Sequence, residues 1–481
     1  MVALHLIHLI KFLTSDLRKC SQSLFLSNFP NFSFQNILKR TSLEKVSVKK
    51  YNYKPYVKYS FTPMAKEYTI ACVGKPSVGK SSTINSLTKN ESLFKIGNYP
   101  FTTLTAQEGV SYIPFRCKCN KNPNCKPTYG KCDSGKRYIP IKVLDIPGLI
   151  PEAHLNLGLG NKFLDSLRTA DLLIHCIDIS GTTNAKGEST RGYDPINDVE
   201  FLINEIKLWI YNNLEKKWGS IVRRHINTNS SIVETLTNQL AGYSANMSMV
   251  QKTIDLLMQR QDSEAESKYL PPLDKWDEEL ILKCIECFME IKFPMVLALN
   301  KIDHPDANKN ISKLVLKYQG KYEIVLTTAI TEIFLQKLHT QGFINYESGT
   351  EFLDTSEDDP ENLKELPPAI MEKIEKIRDL ILFRYGSTGI QDLLTKSAKV
   401  LDLIPVYTVK NMNNLDDPSS NPYKDAFLIK NGSTVGEVKR HLFGIEVTIG
   451  SILTTGNIRV SEEDVITKGK NDVLCFKLAP K

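Results

Sequence analysis

The chain has 481 residues, 41% apolar and 24% charged, the balance of a globular protein with two or three cores rather than of a disordered or fibrous one. It has no run of about 18 apolar residues, which excludes an ordinary membrane-spanning helix. The formal charge of +7 does not mark a nucleic-acid binder: residues 1–63 hold ten Lys and Arg against Asp16 and Glu44, and the remainder carries 51 basic against 52 acidic residues. Ten cysteines are too sparse for a disulfide scaffold, so reduced thiols are expected.

Residues 1–63 open on the apolar run MVALHLIHLIKFLTS and continue rich in Ser, Asn, Phe and Lys, a composition shared with signal and transit segments. Met64 starts a second segment, MAKEYTIACVGKPS, that reads as a natural beginning, so the stretch before it is equally an extension without folded structure. The expected location is cytoplasmic, or organellar if the extension is an address.

Residues 68–73 (YTIACV) form a β-branched run that leads into Gly74, Lys75, Pro76, Ser77, Val78, Gly79, Lys80 and Ser81, a full match to G-x-x-x-x-G-K-[ST]. Ser82 and a helix-compatible stretch follow. In such a strand, loop and helix the glycines let backbone N–H groups wrap phosphates and Lys80 meets the terminal ones. The Ser81 hydroxyl suits Mg²⁺. Further on, Cys117, Cys119, Cys125 and Cys132 crowd residues 114–137. Four thiols can close a tetrahedral Zn²⁺ site, but their spacing departs from paired C-x₂₋₄-C knuckles, so reduced loop thiols remain the other reading.

A strand over residues 138–144 ends at Asp145, followed by Ile146, Pro147 and Gly148. A carboxylate there can hold Mg²⁺ through water while the Gly148 N–H faces a γ-phosphate. After a strand over residues 172–177, Ile196, Val199, Ile203, Ile206 and Ile210 recur at helical spacing. Similar patterns over 250–258 and 276–288 make residues 183–290 a helical insertion, with a polar, mobile stretch at 259–268. Cys284 and Cys287 fall on one of these helices and read as core packing.

Strands over 295–299 and 324–326 complete an alternation that predicts an α/β, mostly parallel sheet covered on both faces. The first leads into Asn300, Lys301, Ile302 and Asp303. The Asp303 carboxylate can accept from N1–H and the exocyclic amine of guanine, a pattern adenine cannot offer. The Lys301 stem can lie on the purine and Asn300 can brace the loop. Thr327, Thr328 and Ala329, after the second strand, fit the last base-contacting loop, and residues 354–365 read as an acidic surface loop. After Pro405 the pattern changes to short strands and turns, a separate C-terminal module.

Asn98, Tyr99, Pro100, Phe101, Thr102 and Thr103, with the later stretch DIPGLIPEAHLNLGLGNKFLDSLRTAD, make the chain resemble the Obg family of P-loop GTPases. The nearer likeness is to its Obg-like, YchF-related branch, which implies a helical insertion and a small C-terminal α+β, ubiquitin-like TGS domain from 401 to 481. The segments DAFLIKNGSTVGEVKRHL and 464–476 resemble that domain. The resemblance covers nearly all of the chain from Ala65 and implies that Ser81 and Thr103 ligate Mg²⁺, with Thr103 reporting the γ-phosphate and Thr102 as the near alternative. Leu149 stands where related enzymes place a water-orienting Gln, which implies slow hydrolysis. Ser77 replaces the Asn of potassium-stimulated relatives.

The likeness implies a GTP/GDP switch contacting a ribosome or another RNA assembly. Its rivals are an ATPase of the YchF type and a nucleotide-stabilised scaffold with negligible turnover. Lys430, Lys439, Arg440 and His441 are candidates for an RNA-facing patch, with an ordinary solvated face as the alternative. His154 reads as a surface or core histidine rather than a nucleotide contact.

Overall fold

β1 (Thr69–Val73) is buried along its whole length, as a strand covered on both faces must be. Its alternating side chains feed two cores, Ala71 and Val73 one and Ile70 and Cys72 the other. After it come α1 (Lys80–Thr88), β2 (Gln107–Arg116), β3 (Lys131–Asp133), β4 (Lys136–Asp145) and β5 (Leu172–Asp178). Helices α2 (Ile196–Glu215), α3 (Trp218–Thr228), α4 (Ile232–Leu240), α5 (Met247–Asp262) and α6 (Glu278–Lys292) follow. The chain then returns with β6 (Met295–Asn300), α7 (Ala307–Tyr318), β7 (Glu323–Thr327) and α8 (Ala329–Thr340). A two-stranded ribbon, β8 (Asn345–Tyr346) with β9 (Leu353–Asp354), precedes α9 (Pro368–Ile377) and α10 (Ile390–Val400).

The computed structural model describes residues 68–88, 107–149, 151, 165–262, 270–413, 415, 421–444 and 447–478, all within the unit Phe61–Lys481. The expectations placed on residues 1–63, Thr102, Thr103 and His154 lie outside them.

The main sheet runs β2-β4-β1-β5-β6-β7, with β3 also on β4. Strands β4, β1, β5, β6 and β7 are parallel, and β2 and β3 pair antiparallel with β4. In an open sheet of this kind ligands bind beyond the carboxyl ends of the parallel strands. Among the described residues, the phosphate loop, Asp145, residues 300–303 and residues 327–329 each lie at or just past one of those ends. α1 and α10 cover one face, and α2, α6 and α7 cover the other.

In α2, Val199, Ile206 and Ile210 are buried as the spacing predicts, and Leu202 and Trp209 complete that face. α5 runs on to Asp262, into the stretch expected to be mobile, because Gln and Arg propagate a helix well. The cysteine-rich excursion is shorter than its expected bounds: Arg116 pairs with Lys136, so the flanking strands claim residues 114–116 and 136–137. Among the described residues no helix is long and apolar enough to cross a membrane.

The C-terminal module comprises β10 (Leu403–Thr408), β11 (Asp425–Lys430), α11 (Val435–Phe443), β12 (Ile449–Thr454), β13 (Ile458–Val460) and β14 (Val473–Leu478). Its order is β11-β10-β14-β12-β13, with β10 and β14 parallel at the centre, the topology of a ubiquitin-like roll. Thr434 and Glu437 form a reciprocal capping box that starts α11. Val435 and Val438 then anchor the helix on Val406, Ile429 and Leu474, each valine contributing about 1.5–3 kcal/mol of burial.

Candidate functional site

The loop between β1 and α1 depends on two glycines. Gly79 has φ +95°, and a Cβ there would lie 2.3 Å from Asn300 Nδ2; Gly74 has φ +143°, and a Cβ there would lie 2.4 Å from the Cys176 carbonyl oxygen. Val78 pins the loop into the core. The Lys80 Nζ curls back to donate to the Lys75 carbonyl at 2.9 Å. Burial pulls its pKa down, and the carboxylate of Asp145 works against that shift. The Ser77 hydroxyl is buried without a hydrogen-bond partner among the described residues.

At the head of α1 the Ser81 hydroxyl donates to Asp145 Oδ2 at 2.5 Å, and Asp145 is fully buried at the end of β4. A hydroxyl and a carboxylate side by side are hard oxygen donors, a set that fits Mg²⁺. The chain beyond β4 folds onto the loop: the Leu149 N–H donates to the Gly74 carbonyl at 3.1 Å, and Gly148 lies against Pro76. Leu149 itself is buried in the core.

Asn300, the last residue of β6, joins three loops. Its Nδ2 donates to the Val78 carbonyl at 2.8 Å, and its Oδ1 accepts the Ala329 N–H at 3.1 Å and the Thr327 hydroxyl at 3.5 Å. Asp303 is exposed at the rim and accepts from the Thr328 hydroxyl at 2.7 Å. Thr328 is buried, and its N–H donates to the Thr388 carbonyl at 3.1 Å. The loops after β1, β6 and β7 are thereby fixed relative to one another.

Two ion pairs, one fully buried and one with a partly exposed lysine, escape sequence reasoning. Asp178, at the end of β5, accepts from Ser180 at 2.5 Å, Thr183 at 2.7 Å, Lys301 at 2.9 Å and Thr182 at 3.2 Å. Burial opposes ionisation of Asp178, yet Lys301 and the hydroxyls outweigh it and hold the carboxyl below the usual range. Lys301 has φ +69°, which turns the chain at this point. Lys75 is 2% exposed; its Nζ donates to the Thr183 carbonyl at 2.7 Å, pairs with Asp198 at 2.9 Å and lies 3.8 Å over the Tyr193 ring. Burial dominates both members, pulling Lys75 down and pushing Asp198 up to about 6. The run LLIHCID closes on Asp178 just as IKVLD closes on Asp145, which was the available signal. Asp198 gave one too, since it adjoins Val199 on the buried face of α2.

Cys117, Cys119, Cys125 and Cys132 come together. Cys284 and Cys287 are buried in the core on α6, as expected. Of the suggested basic patch, Lys430 and Arg440 are exposed, while Lys439 is paired with Glu462 at 2.5 Å. A second basic surface, absent from the sequence reading, lies on and before α3, where Lys216, Lys217, Arg223 and Arg224 are exposed.

Residues 69–213 match the family described as 50S ribosome-binding GTPase, and residues 298–411 match Obg-like GTPase YGR210-like, G4 motif-containing domain. An uncharacterized GTP-binding protein of Schizosaccharomyces pombe is 45% identical over 420 residues, 86% of this chain and 99% of its own length. The chain belongs to the Obg-like family of P-loop GTPases. Another uncharacterized GTP-binding protein of this kind, from Methanocaldococcus jannaschii, is 39% identical over 375 residues, 77% of this chain and 88% of its own. The crystal structure of a GTP binding protein from Pyrococcus horikoshii OT3 superposes with a TM-score of 0.63 at 26% identity, covering 85% of this chain and 100% of that one. The two family matches between them span the site, Gly74 to Asp198 in the first and Asn300 to Thr388 in the second.

Proposed function

We propose that this Obg-like GTPase is a GTP-dependent switch with slow intrinsic hydrolysis. The loop from Gly74 to Ser82 holds the phosphates, with Lys75, Pro76, Ser77 and Val78 supplying backbone and Lys80 a charge at the terminal phosphates. Asp303 reads guanine, Lys301 covers its face, and the Thr328 and Ala329 backbone borders the base. Ser81, Asp145 and Thr103 hold Mg²⁺, which when bound neutralises charge on the phosphate oxygens. The Gly148 N–H and Thr103 sense the γ-phosphate, so that hydrolysis releases both segments. The observation that carries this reading is the set of bonds from Asn300, which locks the phosphate loop, the Asp303 loop and the Ala329 loop into one frame.

Slow turnover follows from Leu149. At the position where a polar side chain would orient water the chain has a buried leucine, and an alkyl group holds no water. The C-terminal module is read as a TGS domain. Together with the exposed cations at α3, it is the surface offered to a ribosome or another RNA assembly.

Single-turnover hydrolysis of GTP and of ATP, with Mg²⁺ alone and with ribosomes added, tests the reading. The expected result is GTP turnover on the order of 10⁻³ s⁻¹ or slower, accelerated by ribosomes. Preference for ATP would make the protein an ATPase of the YchF type. Tight GTP binding without turnover under any condition would make it a scaffold.

A further inference from the structure

Between Cys117 and Gly135 the chain contains no Val, Ile, Leu, Met or Phe, and Tyr129 is 49% exposed. Such an excursion has no apolar core of its own, and segments of this kind are held by staples or metals. Its buried residues are its thiols: Cys117, Cys119 and Cys125 are 6–8% exposed, and Cys132 is partly buried beside them. We propose that Cys117, Cys119, Cys125 and Cys132 form a tetrathiolate Zn²⁺ site that clamps this excursion onto the C-terminal module.

The geometry supports it in three ways. The four Sγ atoms all lie within 4.8 Å of one another, with Cys117 and Cys125 4.0 Å apart and Cys119 and Cys132 3.7 Å apart. A tetrahedron with Zn–S bonds of about 2.3 Å has S···S edges of about 3.8 Å, whereas a disulfide needs about 2.0 Å. The backbone is bent to make this cluster. Asn120 and Lys121 have positive φ in the turn between Cys119 and Cys125, where the Asn122 N–H donates to the Cys119 carbonyl at 2.9 Å. Ser134 and Gly135, also at positive φ, close the β3–β4 hairpin that carries Cys132, and the Cys117 N–H donates to the Gly135 carbonyl at 2.7 Å. The third support is charge: four thiolates around a dication leave two net negative charges, and Lys118, Lys121, Lys126 and Lys131 lie in the same segment. Ligands that meet across two turns also account for the spacing, which no pair of adjacent knuckles would produce.

The cluster packs on Tyr407, Val409, Met412, Tyr423, Val473 and Cys475 of the C-terminal module. Polar contacts ring it. Lys118 pairs with Asp472, the Thr128 N–H donates to the Lys424 carbonyl at 3.0 Å, and Asn421 Nδ2 donates to the Lys126 carbonyl at 2.5 Å. Soft thiolates select Zn²⁺ over Mg²⁺, so the site is independent of the nucleotide crevice.

Elemental analysis of the purified full chain should find about one zinc per chain. Titration with a mercurial, followed with a zinc-sensitive dye, should release it as the thiols react. The double variant Cys119→Ser, Cys132→Ser should lose the zinc, and Cys287→Ala should keep it. Hydrogen exchange across residues 421–430 should quicken when a chelator strips the wild-type chain. A zinc-free chain with four reactive thiols, a Cys117–Cys125 disulfide, or iron in place of zinc would overturn the assignment. The mercurial titration needs no variant, so a folding failure of the double variant leaves the test intact.

Discussion

His175 is fully enclosed in β5, and its Nδ1 has no hydrogen-bond partner among the described residues. Burial, reinforced by the charges of Lys75 and Lys80, pushes its pKa down to about 3. The unfolded chain takes up this proton near pH 6.5 while the fold refuses it, so stability present above 6.5 is lost as pH falls towards 3. The linkage amounts to about 2 kcal/mol between pH 6.5 and 5. Asp198, raised to about 6, works the other way: its contribution is present below the ordinary Asp pKa and lost as pH rises through 6. The readout is therefore the difference between the chain and His175→Leu in urea midpoints at pH 7 and 5, and identical slopes would contradict the assignment. Asp198→Ala leaves the Lys75 ammonium buried and unpaired, an expected cost of about 3–5 kcal/mol in urea unfolding, most of which replacing both residues by apolar ones should recover. A loss below about 1 kcal/mol would show the pair to be solvated. Lys80, Ser81, Asp145, Asn300 and Asp303 were legible from sequence because phosphate, metal and base chemistry dictate short contiguous motifs. Lys75 was legible only as a motif position. Its partner lies far along the chain on α2, and an aspartate on a helix carries no mark of the lysine it will meet.

The five parallel strands of the main sheet were readable because largely apolar runs such as LLIHCID leave few alternatives for a parallel, doubly covered sheet. β2 and β3 were not, since most of their residues are exposed or half-buried and form no such run. Nor was α3, since Ile221 is its one buried residue, Trp218 and Val222 are only partly buried and Ile226 is exposed. α4 is short and is held by its Ser231 cap and by packing on α5 rather than by a long periodic face. The joint between sheet and C-terminal module was equally hidden. Arg137 on β4 is 1% exposed, and it donates to the Tyr423 carbonyl at 3.1 Å and the Lys424 carbonyl at 2.9 Å. Arg137→Ala removes both of these bonds and leaves the Lys424 carbonyl only the one from the Thr128 N–H, and amide exchange in β11 should quicken by about tenfold or more while β6 and β7 keep their protection. Uniform loss of protection across both sheets would place Arg137 in the common core instead.

At the scale of the molecule, five strand ends converge on one crevice, and the ubiquitin-like module is fastened to the far ends of β2 and β4. The order of motifs along the chain announced the first fact. The second depends on backbone carbonyls and thiols brought together from distant segments, which no single stretch reveals. The central claim is that Asp303 reads guanine, and equilibrium binding of fluorescent GDP and ADP to the full chain and to Asp303→Asn tests it most directly. Tight GDP, weak ADP and a loss of roughly a hundredfold in GDP affinity for the variant, with ADP unchanged, are the predicted results. ADP binding as tight as GDP in the wild-type chain, or a variant that keeps its GDP affinity, would contradict the account.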